Sequence, residues 1–157
     1  MALYSLMVTL DDERNNVLRQ IVVDGDQSLF DLHNVLVESF GLTEGEMASF
    51  YHVEGEWDTT EEIPMEVFDP KVQSKTMYSS SIEDVFSEEN RLVYVNDFIS
   101  LWTFFIERVK LAEDISQPGV VASIGELPDS PPAKTFEGDA FSDDMEDFGE
   151  EEEDDLW

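Results

Sequence analysis

The chain contains no cysteine. That absence excludes disulfides, thiol nucleophiles and thiolate metal sites, and it fits a cytoplasmic setting. Long apolar runs are missing as well. A bilayer-spanning helix needs about 18 or more consecutive apolar residues. The longest candidate, Phe98 to Ile106, is half that and is interrupted by Ser100 and Thr103. Basic residues are scarce: 8 Lys and Arg stand against 38 Asp and Glu, a net charge of −30 over 157 residues. Phosphate backbones and anionic lipids are gripped by clustered Lys and Arg. No such cluster exists here, so direct nucleic-acid binding and membrane attachment are disfavoured. A basic protein surface is the partner that this charge favours. The Gly-rich phosphate cradles and the G-x-S-x-G nucleophile elbow are also absent, and no cofactor is implied.

What the chain does have is a divided character. The 21 residues from Glu137 to Trp157 carry 12 acids and no base. Phe141, Met145, Phe148, Leu156 and Trp157 are threaded between them. Such a segment repels itself and has too few apolar groups to build a core. It is expected to be disordered alone. The division placed on the chain is a domain over 1–132 and an acidic tail over 133–157. The domain is acidic in its own right, because residues 1–136 hold 26 acids against all 8 bases of the chain.

Leu3 to Leu10 alternates apolar and polar residues, the pattern of a half-buried strand. It has no basic leader and reads as a strand, not a signal peptide. Val17 to Val23 is β-branched and returns as a hairpin. Ser28 and Asp31 have capping-box spacing, and Leu29, Leu32, Leu36 and Phe40 form one helical face that Gly41 ends. Met47 to Val53 is a third strand. Gly55 to Pro64 reads as an acidic irregular connection, and Met65 to Ser81 as a long loop. Ser81 to Phe86 fits one capped helical turn. Arg91 to Phe98 and Leu101 to Leu111 predict a hairpin, with Leu101 to Ile106 apolar enough to be buried on both faces. Val120 to Ile124 predicts a short edge strand. This order predicts an α+β fold: a mixed sheet with one main helix packed across it, arranged as a ubiquitin-like β-grasp (β-β-α-β-β-β).

Several of these segments together carry a resemblance. Ser28-Leu-Phe-Asp-Leu-His33 through Phe40-Gly41 resembles the helix motif of the plasmid pRiA4b ORF-3-like proteins. Phe50-Tyr51, Trp57 and Glu62-Ile63 resemble the strand and loop that follow there. Arg91 to Phe98 and Trp102 to Glu107 resemble the family's late strand pair, and Pro118 to Pro132 its Gly- and Pro-containing segment. The acidic tail is similar to that of a subgroup. The family is largely uncharacterised, and some members sit on mobile elements. The resemblance marks Asp31, His33, Asp97 and Trp102 as motif positions. One departure stands out: where the family often reads Tyr-Asp-Phe-Gly-Asp, this chain has Asn96-Asp97-Phe98-Ile99-Ser100. A function needing both carboxylates at that turn is not supported.

Each candidate residue has a structural reading beside the functional one. His33 lies beside the helix stripe and is expected to be a hydrogen-bonded junction residue. His52 is 19 positions away, and neither histidine has a partner at metal-ligand spacing, so no metal site is expected. Counting back from Gly149 as an EF-hand glycine puts Asp144, Glu146 and Phe148 at ligand positions, and phenylalanine cannot ligate. Asp97 is expected to cap turn amides, since a general acid–base role needs a second positioned group. Trp102 is expected in the core. Trp57, in its acidic loop, is either a contact residue or folded back on its own domain. Three functional readings follow. The preferred one is a non-enzymatic interaction module that uses Trp57, Phe141, Phe148 and Trp157 against a basic partner. The alternatives are an acidic decoy that competes with nucleic acid for a basic protein, and an enzyme with an unrecognised site near Asp97.

Overall fold

The computed structural model describes residues 2–65 and 75–128. The tail, with Phe141, Phe148 and Trp157, lies outside the described residues, as does most of the Met65 to Ser81 loop.

The sheet dominates the described chain. Its strands are β1 (Leu3–Leu10), β2 (Leu18–Asp24), β3 (Ala48–Glu54), β4 (Asp58–Pro64), β5 (Arg91–Asn96), β6 (Trp102–Val109) and β7 (Gly119–Ile124). They form one seven-stranded sheet in the order β4-β3-β5-β6-β1-β2-β7. The helices are short: α1 (Leu29–Phe40) has 12 residues and α2 (Ile82–Phe86) has five.

This overturns the expected α+β β-grasp with its mixed sheet. In that arrangement the first and last central strands run parallel. Here every strand pair is antiparallel, and β1 sits between β2 and β6, both antiparallel to it. Two strands account for the error. β4 was hidden because its exposed edge positions are acidic and polar, with Ile63 its one buried side chain. Leu101 to Ile106 is not buried on both faces either: Phe104 and Ile106 are buried, while Trp102, Thr103 and Phe105 are only partly so.

Local signals in the sequence nevertheless set the element ends. The Ser28 hydroxyl accepts from the Asp31 N–H at 3.1 Å, and the Asp31 carboxylate accepts from the Ser28 N–H at 3.0 Å, a reciprocal cap on α1. Gly41 ends the helix at φ 73, where a side chain would be strained, and its N–H donates to Val37. One half of that device starts α2, with the Ser81 hydroxyl accepting from the Asp84 N–H. The core gathers one face of the sheet (Tyr4, Leu6, Val8, Ile21, Phe50, Tyr94, Phe104, Ile106) with Leu29, Leu32, Leu36 and Phe40 of α1 and Ile82 and Phe86 of α2. At about 25 cal/mol per Å² of apolar surface removed from water, this burial is the main favourable term for the fold.

Candidate functional site

Strand polarity brings several notable residues to one end of the sheet. β5 ends there at Asn96, β6 begins at Trp102, α1 stops at Phe40 and β7 runs out at Ile124. Asn96 pairs with Trp102, so five residues, Asp97 to Leu101, make the turn. Asp97 and Leu101 are both left-handed, at φ 65 and 63. Asp97 tolerates that backbone because its carboxylate takes part in the turn. Its Oδ1 accepts from the Ile99 N–H at 3.1 Å and the Ser100 N–H at 3.2 Å. Those backbone amides hold its carboxyl below the ordinary value. The Asp97 N–H donates to Met47 and the Leu101 N–H donates back to Asp97, closing the loop from both sides.

This pinned turn presents apolar side chains to solvent. Ile99 is 94% exposed, Phe98 45%, and Met47 of the neighbouring segment 41%. An exposed pair of large apolar residues on a pre-set turn is what a docking anchor requires. Sequence reasoning missed it, because Phe98 was assigned to the strand and Ile99 to a two-residue link. The acids Glu44, Glu46 and Glu126 lie in the segments bordering this end. Beside the tip lies a groove lined by Trp102, Asp97, Phe40, Leu42, Glu126 and Leu127, with Arg19 in its wall. Trp102 is partly buried and packs against the core.

Arg19 is the other residue that sequence reasoning passed over. It is buried, and its guanidinium lies 4.9 Å from the centre of the Phe40 ring. Its Nε donates to Ser39 O at 3.0 Å, and one Nη reaches the carbonyls of Leu18, Ile124 and Gly125 at 2.8–3.1 Å. The last turn of α1 has no basic residue of its own. Arg19 supplies that cation from β2, at the negative end of the helix dipole.

His33 belongs to a different constellation. Its Nδ1 lies 2.6 Å from the Tyr94 hydroxyl, and Asn96 Nδ2 donates to the same oxygen at 3.0 Å. Burial lowers the His33 pKa and raises that of Tyr94, so both groups are neutral near pH 7. The chain ties α1 to β5 through the core. His33 lines a depression with Val37, Glu38 and Leu42, whereas Asp97 lines the groove. The two are not brought into one pocket. Asp31 serves the α1 cap, and Trp57 is folded back: its ring centre lies 4.6 Å from that of Phe105, and the Arg91 guanidinium lies over it at 5.2 Å. His52 meets the Glu89 carboxylate. Among the described residues, no three His, Asp or Glu side chains are grouped to hold a metal ion, and no helix is long and apolar enough to cross a membrane.

The model of the family described as plasmid pRiA4b ORF-3-like protein matches residues 2–154. No curated protein matches the chain. Among solved structures, it is similar to a crystal structure of a protein of unknown function from Methanosarcina mazei Go1, at 17% identity and a TM-score of 0.60. That likeness covers 77% of this chain and 68% of the other, and at this identity it shows the fold alone.

Proposed function

The chain belongs to the plasmid pRiA4b ORF-3-like protein family, and from that premise we propose that it is a non-enzymatic interaction module that docks a basic protein at the Met47–Phe98–Ile99 end. One observation carries the reading: a rigid turn displays two exposed apolar residues beside acidic segments. The anchor supplies desolvation energy, and the surrounding acids select the sign of the partner.

The disposition of the cations strengthens it. Three of the four arginines lie over aromatic rings: Arg19 over Phe40, Arg91 over Trp57 and Arg108 over Tyr4. Each also donates to main-chain carbonyls. Their side chains are tied into the framework, and with them counted the chain still carries −30. The tail, with Phe141, Phe148 and Trp157, extends the same negative field and is assigned to steering.

The test is titration with a lysine-rich amphipathic peptide and with its glutamate counterpart, using the full chain and the double variant Phe98→Ser/Ile99→Ser. The wild type is expected to bind the basic peptide more weakly as salt rises. The double variant should lose about tenfold or more, the effect of removing hot-spot anchors. Deleting residues 137–157 should slow association more than it speeds dissociation. Equal binding by wild type and double variant, or preference for the acidic peptide, would refute the reading.

A further inference from the structure

The two edges of the sheet are built differently. β4 carries Asp58, Glu61, Glu62 and Pro64, the charges and proline that keep an edge from pairing with another chain. β7 reads Gly-Val-Val-Ala-Ser-Ile, with no charge and no proline, and every residue in it is exposed. It pairs with β2 on one side and, among the described residues, is the last strand of the sheet on the other. A terminal strand turns part of its main-chain donors and acceptors outward.

The side chains along this edge are apolar too: Val120, Val121 and Ile124 are 43–48% exposed. The pairing shifts between Gln20 and Ile21, which displaces Val121 from the regular alternation. The far end of β7 is fixed rather than frayed. Arg19 holds the carbonyls of Ile124 and Gly125. Gly125 sits at φ 71, where a Cβ would fall 2.3 Å from Asn16 O. The edge then runs directly into the groove at Glu126 and Leu127, beside Trp102.

We infer that β7 is the template for an eighth strand, and that its occupant is an extended segment of the basic partner, alternating Lys or Arg with β-branched residues. This inference rests on the docking function proposed above and specifies the form the partner's segment takes. Main-chain pairing with β7 supplies affinity, and the valines and Ile124 select apolar residues at alternate positions. Charge decides the source. Asp24 ends β2 and Asp26 follows it, near the start of β7, and Glu126 follows the end of β7. The one cation at the strand, Arg19, is already engaged with carbonyls. A second copy of this chain would bring −30 against −30, whereas a basic strand neutralises the flanks.

The experiment uses the full wild-type chain and three probes: an eight-residue peptide alternating lysine with valine, the same peptide N-methylated at alternate amides, and a lysine-rich peptide locked as a helix. Binding is read by fluorescence anisotropy, and amide exchange across β7 by NMR. The strand peptide should bind, N-methylation should weaken it about tenfold or more through lost main-chain bonds, and Val120–Ile124 amides should gain protection. Equal affinity of plain and N-methylated peptides would overturn the edge inference while leaving docking of a basic partner intact. Binding of the helical probe alone would do the same. Failure of all three probes would overturn both. Protection of β7 that rises with protein concentration, without peptide, would assign the edge to a second copy and overturn the inference.

Discussion

Replacing Arg19 with methionine isolates what one buried cation does for this fold. The side chain is 8% exposed and touches three elements at once: α1 through Ser39 O, β2 through Leu18 O, and the end of β7 through Ile124 and Gly125 O. Hydrogen bonds from a charged donor contribute about 1.5–3 kcal/mol each. Three of the four acceptors share one Nη, so two effective donors is the fair count. Against that loss stands relief from dehydrating a guanidinium, an effect large enough in other buried ions to make an apolar replacement neutral or stabilising. Methionine also keeps contact with the Phe40 ring. Here the loss wins, because the carbonyls left behind remain partly buried and no other cation reaches them. The net cost is about 2 kcal/mol, which lowers the melting temperature by roughly 4–8 °C in a chain of this size. Arg19→Lys should recover less than half, since an ammonium cannot reproduce the planar fan of donors. The loss should also be local: amides of Val120–Ile124 should exchange faster while those of β1 keep their rank. Calorimetry and hydrogen exchange read both effects. A variant as stable as wild type, or one whose protection falls evenly across the sheet, would show that Arg19 is not the latch of β7.

Two further substitutions probe the motif positions. Burial holds the His33 imidazole below its ordinary value of 6.5, so the unfolded chain takes up this proton first as pH falls. Stability should therefore decline from pH 7 toward pH 5, and His33→Gln should flatten that part of the profile; a slope unchanged in His33→Gln would refute the assignment. Tyr94→Phe at pH 7 leaves His33 Nδ1 and the Asn96 donor without their shared partner and should cost about 1–3 kcal/mol by denaturant unfolding. At the turn, Asp97→Asn keeps an acceptor and a residue type that tolerates positive φ, whereas Asp97→Ala keeps neither. The first should melt near wild type and the second should lower the melting temperature and speed exchange at Ile99 and Ser100. Equal behaviour of the two would remove the capping role.

Local features were legible where the signal is local. The Ser28–Asp31 cap, the Gly41 stop, the Ser81 turn and the alternating β1 all follow from residues adjacent in sequence. Strand β7 was legible as an edge from its short β-branched run. Topology was not. A hairpin followed by a helix is compatible with a parallel return, as in a β-grasp, or with an antiparallel one, and the choice depends on where β6 lands beside β1. That is a long-range pairing, which no local periodicity records. β4 failed for a related reason: an edge strand facing solvent on both sides has no apolar alternation to display. At the turn between β5 and β6, Asp97 was legible as a cap because Asp at a turn has a local mechanism. The exposure of Phe98 and Ile99 was not, because an apolar pair at the end of an apolar run looks like core until the turn length is known.

The scarcity of basic residues acquires a structural meaning once their positions are known. In a chain of this composition, a cation at the surface would meet abundant acids and gain little, since exposed ion pairs contribute only about 0–1 kcal/mol. Laid over an aromatic ring with its N–H groups on carbonyls, the same residue ties separate elements together, and where it is buried, as Arg19 is, it is less screened. Arg91 shows both situations in one side chain. Its Nε lies 3.8 Å from the exposed Glu107 carboxylate, while one Nη donates to Gly55 and Glu56 carbonyls under the Trp57 ring. Arg108 repeats the pattern, from β6 to the Phe86 carbonyl and the Tyr4 ring. The three sheet arginines thus tie the fold together, and with 38 acids against 8 bases in the chain the field stays strongly negative. A strongly negative surface and a well-tied framework are not in competition here, because so few positive charges suffice for the second.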